Sequence, residues 1–148
     1  MNNNIRLLQP KDNKDFFNII NYFTQKPEEI SKVDFLKQLK LSKSEIYVLE
    51  EDPLSNKFIG TGSIFIDYKF QHNLSKVAYI DNVIIHPDYR GQGYGKQIIS
   101  KLVKVAKDNQ CYKVILDCYK DTVKFYEKCG FEQKQVQMSI FLCPKINK

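Results

Sequence analysis

The sequence predicts a mixed α/β domain, one sheet with helices on both of its faces. Two observations predict it. Strand-like stretches dominate the first part of the chain, then a strand–loop–helix unit follows and a β–α–β run closes it. The 148 residues suit a single domain, 1–148, large enough for its own core, and no repeat, low-complexity tract or linker divides it.

Residues 5–8 read as a short strand, ended by Pro10. Asp12 or Asn13 can cap a helix carrying Phe16, Phe17, Ile19, Ile20 and Phe23. Ser31 followed by Asp34 reads as a capping pair for a second helix with Val33, Phe35, Leu36 and Leu39. Joined by Thr24-Gln25-Lys26-Pro27, these helices would cover the sheet or form a lid over a substrate. Residues 46–50 and 57–68 form a hairpin, with Gly60 and Gly62 marking a bend or bulge in its second arm. A polar loop spans 69–75, and the central strand is Lys76–Ile85. Its glycine loop leads into a helix ending near Asp108. A strand over 112–118, a helix over 122–128 and a last strand or strand pair over 131–142 complete the order.

The chain is organised around residues 78–96, where an apolar β-branched run gives way to Arg90-Gly91-Gln92-Gly93-Tyr94-Gly95-Lys96 and then a helix. Strand, glycine-rich turn and helix together aim backbone N–H groups at a phosphate. A Walker loop would need a glycine at Arg90 and a Ser or Thr at Gln97, so that motif fails. A dinucleotide fingerprint fails as well, because the spacing is GxGxG and no acidic residue is placed to hold a ribose. Arg/Gln-x-x-Gly-x-Gly/Ala fits, on Arg90, Gly93 and Gly95.

Composition excludes several classes. The net charge of +6 suits an anionic ligand, but the lysines are dispersed and form no nucleic-acid arm. No apolar run reaches the roughly 18 residues that span a bilayer. MNNNIRLL lacks the regions of a signal peptide, so a cytoplasmic protein is expected. Cys111, Cys118, Cys129 and Cys143 form no CxxC pair and have no histidine at metal spacing, which predicts reduced thiols, no disulfide and no metal.

The Arg90–Gly95 loop resembles the acetyl-CoA loop of the GNAT N-acetyltransferases. Thr122-Val123-Lys124-Phe125-Tyr126-Glu127-Lys128-Cys129-Gly130-Phe131 looks like their "NxxFYEKxGF" signature. Tyr112-Lys113-Val114-Ile115-Leu116-Asp117-Cys118 is similar to the preceding strand in glucosamine 6-phosphate N-acetyltransferases, as are Thr61-Gly62-Ser63-Ile64-Phe65-Ile66 and Lys69. The resemblance covers roughly residues 60–140.

It implies a central mixed, mostly antiparallel sheet, splayed at an acetyl-CoA site. It implies transfer of acetyl from acetyl-CoA to D-glucosamine 6-phosphate, feeding UDP-N-acetylglucosamine synthesis. Tyr126 would protonate the leaving thiolate. That transfer is only modestly uphill, since a thiol sits near about 8.5 and tyrosine near about 10. Backbone groups of Asn82, Val83, Ile84 and Ile85 would bind pantetheine and the carbonyl oxygen. Arg90, Gly91, Gln92, Gly93, Tyr94, Gly95 and Lys96 would hold the pyrophosphate, and Thr122 stands where the signature has asparagine.

Asp81 and Asp117 are the candidate carboxylates for the amine, and with Asn82 and Lys69 they would form the acceptor site. Asp81-Asn82 replaces the family's Glu-Asp pair, and Phe141 replaces a phosphate-binding arginine supplied by a partner subunit. Lys26 or Lys134 could compensate. The family's homodimers exchange C-terminal strands, and residues 136–142 alternate well enough to do so. Alternatives are a GNAT acetylating another small amine or a protein N-terminus, and a non-catalytic CoA-binding module.

Overall fold

The computed structural model describes residues 4–23, 30–55 and 57–142. Lys26 and Pro27 of the inter-helix connection, and Cys143, lie outside the described residues. The chain divides into two compact units, residues 1–116 and 117–148.

In the first unit the order is β1 (Ile5–Leu7), α1 (Asn13–Ile20), α2 (Lys32–Leu41), β2 (Glu45–Glu50), β3 (Phe58–Tyr68), a one-turn α3 (Gln71–Leu74), β4 (Lys76–Ile85), α4 (Tyr94–Asp108) and β5 (Lys113–Leu116). The strands lie side by side as β1-β2-β3-β4-β5. Neighbours are antiparallel except β4 and β5, which the α4 crossover makes parallel. This is the expected mixed, mostly antiparallel sheet.

Capping chemistry sets the start of α2 but not of α1. At α1 the Asp12 carboxylate makes no cap bond and accepts instead from Arg6 and the Gln9 N–H. Ser31 Oγ accepts from the Asp34 N–H at 3.1 Å and opens α2. α4 buries Ile98, Ile99, Leu102, Val105 and Ala106, the i, i+1, i+4, i+7, i+8 spacing of one helical stripe.

The two faces of the sheet can be read from its register. Val48, Thr61 and Ile84 sit opposite one another, as do Leu49, Gly60 and Ile85. Alternation turns these rows to opposite faces. Val48 and Ile84 pack with Leu8, Ile19, Phe35 and Phe58 beneath α1 and α2. The other row lies under α4. There, a Cβ on Gly60 would come within 2.7 Å of Ile85 Cδ1 and 2.8 Å of Ile98 Cδ1. On Gly62 it would come within 2.7 Å of Ile98 Cγ2. The register does shift beside both glycines, as expected, but what requires glycine is the close approach of α4.

Three expectations need correction. β5 is shorter than residues 112–118, because its pairing with β4 stops at Ile80 and Leu116. The polar loop 69–75 contains α3, in which His72, Asn73 and Leu74 all take positive φ. In the second unit, a 3-10 turn (Lys120–Thr122) leads into α5 (Val123–Lys128), but residues 131–142 form no strand. Alternation supplies a strand's faces and cannot supply the neighbour whose hydrogen bonds make it one.

Candidate active site

β4 runs five residues past its last contact with β5, so one edge of residues 81–85 is left open by that strand. Facing β3, Thr61 pairs with Ile84 and Ser63 with Asp81, so Asn82 and Val83 together oppose the single residue Gly62. This is a β-bulge. Asn82 takes φ 51°, a left-handed conformation that asparagine tolerates better than most residues. Its N–H donates to Asp81 Oδ1 at 2.7 Å.

Beyond the bulge the alternation is regular. The His86 N–H donates to the Ile59 carbonyl at 2.8 Å, toward β3. Ile84 therefore also faces β3, and the N–H and C=O groups of Val83 and Ile85 face the open edge. The Ile85 carbonyl is used there, accepting from Arg90 Nε at 3.0 Å. Of the backbone groups expected to meet pantetheine and the carbonyl oxygen, the Asn82 N–H is thus held by its neighbour, those of Ile84 are turned to β3, and the Val83 N–H points to the open edge.

A 3-10 turn (Pro87–Tyr89) carries the chain from β4 into the glycine loop. Gly91 and Gly93 take φ 75° and 87°, and a Cβ on either would meet no atom within 4 Å. Glycine is needed here for backbone conformation, and the space beside it is open. Gly93 caps α4. The N–H groups of Tyr94, Gly95 and Lys96 head that helix with no preceding helical carbonyl to take them. Gln92 Nε2 donates to the Asp88 carbonyl at 3.1 Å, which shapes the loop from within.

The motif did not indicate what braces this loop. The Tyr89 hydroxyl donates to Glu51 and accepts from Lys57 Nζ at 2.8 Å, and Lys57 pairs with Glu51 at 3.0 Å. The Tyr89 hydroxyl, and then Lys57, hold the Glu51 carboxyl below its usual range, while the same hydroxyl and Glu51 hold Lys57 protonated. His86 stacks edge-on between Tyr22 and Tyr89, with centroids 4.5 and 5.5 Å away. No local signal joins Glu51 to Tyr89, which is far from it in sequence. Beside Gly93, a cleft of about 440 Å³ is lined by Lys96, Gln97, Ser100, Lys101 and Lys104. The i, i+4, i+8 spacing of Lys96, Ser100 and Lys104 would have indicated that basic face.

Lys69 sits at the tip of the β3–β4 hairpin, its N–H bonded to the Ser75 carbonyl. At about 3.3 Å per residue, Ser75 and Asp81 are roughly 20 Å apart along the strand. The Lys69 ammonium pairs with Asp67, which raises its pKa, and lies 5.7 Å from the Tyr79 ring.

In the second unit, Asp117 is exposed and Tyr126 half-buried. The Tyr126 ring packs edge-on against Phe125 at 4.9 Å and Phe131 at 6.1 Å. Thr122 Oγ1 donates to the Tyr119 carbonyl at 2.9 Å. Lys134 pairs with Glu132 at 2.6 Å, and Phe141 is 70% exposed. Among the described residues, no group of three or more His, Cys, Asp or Glu side chains could hold a metal ion, and no helix is long and apolar enough to cross a membrane.

Comparison with known proteins bears on the same features. The sequence model of the acetyltransferase (GNAT) family matches residues 12–131. Glucosamine 6-phosphate N-acetyltransferase 1 of Dictyostelium discoideum is 43% identical over 103 residues, covering 70% of this chain and 66% of that protein. The chain thus spans just under two thirds of that relative's length. The Candida albicans glucosamine 6-phosphate N-acetyltransferase is 35% identical over 113 residues, 74% of this chain and 76% of its own. The crystal structure of the Arabidopsis thaliana glucosamine-6-phosphate N-acetyltransferase superposes with a TM-score of 0.86 at 32% identity, covering 94% of this chain and 97% of that one. The chain belongs to the acetyltransferase (GNAT) family.

Proposed function

We propose that the chain is an acetyl-CoA-dependent N-acetyltransferase acting on D-glucosamine 6-phosphate, as one domain over residues 1–148. The observation that carries this is the open edge of β4, with a bulge at Asn82 and Val83, leading straight into a glycine loop and helix N-terminus. Edge groups of Val83 and Ile85 suit pantetheine, and residues 90–96 suit the pyrophosphate. The family match spans both compact units, which supports the single-domain reading. The acceptor is drawn from the names of the relatives, whose product would feed UDP-N-acetylglucosamine synthesis in the cytoplasm.

The amine attacks the thioester carbonyl and forms a C–N bond, and the oxyanion takes the Val83 N–H. The amine proton leaves to Asp117, directly or through a water. The C–S bond then breaks, and Tyr126 gives its proton to the departing thiolate. Asp81, Asn82 and Lys69 are assigned to the acceptor, with Thr122 beside the cofactor.

Lys69 is assigned to the sugar's 6-phosphate, which suits an ammonium 5.7 Å from the ring of Tyr79, two residues before Asp81 on β4. A homodimer suits the tail, where Val136, Met138 and Ile140 are 83%, 91% and 83% exposed. Phe141 in the arginine position favours a second reading, acetylation of another small amine.

CoA-thiol release from acetyl-CoA, compared with glucosamine 6-phosphate and glucosamine side by side, tests the assignment. Strong preference for the phosphate is expected. Tight acetyl-CoA binding without turnover of either would redirect the search to other amines.

A further inference from the structure

Asp81 is tied at two points. Its Oδ1 accepts from the Asn82 N–H at 2.7 Å, and its own carbonyl accepts from Ser63 Oγ at 3.0 Å. Ser63 is buried on β3 directly opposite, whereas the Asp81 and Asn82 side chains are exposed. The residue that follows holds φ 51° inside the central strand, a conformation costly to any residue with a Cβ. Such a conformation persists only where its surroundings fix it, and here the Asp81 carboxylate closes directly onto the N–H of the turned residue.

We propose that Asp81 is a positioning residue: its carboxylate, holding the Asn82 N–H, locks the bulge of β4 and leaves the Val83 N–H as the donor at the open edge. This rests on the acetyl-transfer reading, and it assigns Asp81 a role other than proton acceptor. The side chain is one methylene shorter than glutamate, and it folds back on its own backbone. Without that bond Asn82 can relax toward the extended region, one residue drops out of the bulge, and the alternation that follows changes sides. Val83 would then turn its N–H toward β3.

The test compares Asp81→Asn, Asp81→Ala and the double variant Asp81→Ala/Asn82→Gly. The asparagine amide oxygen can still accept from the Asn82 N–H, and glycine adopts positive φ at no steric cost. Asp81→Ala should lower kcat by about 10- to 100-fold, with KM for acetyl-CoA little changed. Asp81→Asn should fall markedly less and keep the acid limb of the kcat/KM profile, and the double variant should recover part of the loss. If Asp81→Asn falls as far as Asp81→Ala and the acid limb flattens, Asp81 is the base and the proposal is overturned. It is equally overturned if glycine at position 82 recovers nothing.

Amide exchange at Asn82, followed by NMR on the ligand-free chain, needs no reaction. Protection is expected in wild type and Asp81→Asn and should be lost in Asp81→Ala. Equal exchange in all three overturns the proposal whatever the acceptor is. Intact protection in a wild type that turns over no amine supports the lock and counts against the acetyl-transfer reading alone.

Discussion

The Arg90 guanidinium donates through Nε to the Ile85 carbonyl at 3.0 Å, fastening the glycine loop to the last residue of β4. Both ends of this contact belong to the surface assigned to acetyl-CoA. The contact is exposed and shapes the loop without itself touching the ligand, so Arg90→Ala should weaken acetyl-CoA binding severalfold. Calorimetric titration checks this, and an unchanged Kd would remove Arg90 from the loop's support.

Tyr126 is assigned the proton that the thiolate takes. Removing its hydroxyl in Tyr126→Phe keeps the ring contacts with Phe125 and Phe131. General acids contribute about 10²- to 10⁴-fold, so kcat should fall within that range while KM for acetyl-CoA stays close to wild type. Steady-state kinetics with saturating acceptor reads the split. A kcat equal to wild type dismisses the role.

Gly62 has no room for a methyl group. A Cβ there lies 2.7 Å from Ile98 Cγ2 and 3.0 Å from Leu102 Cδ1, both on fully buried side chains. Overpacking of this kind costs about 1–3 kcal/mol, so Gly62→Ala should lower the unfolding midpoint in a thermal or denaturant melt. An unshifted midpoint would mean that α4 rides further from the sheet.

Arg6 joins β1 to the turn before α1 and to β2. Its guanidinium lies 2.7 Å from Asp12 Oδ2 and 2.7 Å from Glu50 Oε1, and both acids are buried. Burial pushes the Asp12 carboxyl up, but hydrogen bonds from Arg6 and the Gln9 N–H outweigh it and hold the pKa below the usual range. A lowered folded-state pKa makes this contribution complete above the unfolded value near about 4, and it is lost as pH falls below that. Asp12→Asn should therefore cost about 1.5–3 kcal/mol at neutral pH. Denaturant melts should show the gap from wild type narrowing as pH drops below about 4. A gap constant with pH would show that the charge is not what matters at this site.

Signals carried by residues close in sequence were legible. Ser31 and Asp34 predict the start of α2, and the Ser31 hydroxyl caps it. Arg90 to Gly95 predict an anion-binding turn, and Gly91 and Gly93 take the conformations that only glycine adopts freely. The apolar spacing from Ile98 to Ala106 marks the face that α4 buries. The bulge was harder to read, because it is a mismatch of count between two strands and neither strand carries it alone. Gly60 and Gly62 could be read as a bend, but the helix that excludes their side chains begins more than thirty residues later.

By itself, the sequence determined most of the order of elements and the glycine turn that opens α4, because each depends on neighbours within a turn or two of chain. Tyr126 became the candidate acid through the family resemblance. Only the tertiary structure decided that Asp81 closes onto the Asn82 N–H, that Val83 and Ile85 turn to an open edge, and that Lys57 and Glu51 grip Tyr89. It also decided that residues 131–142 carry a strand's alternation without a strand's partner. Which donor meets which acceptor across a sheet depends on register and on where a neighbouring strand stops, and these arise from the packing of segments far apart in the chain.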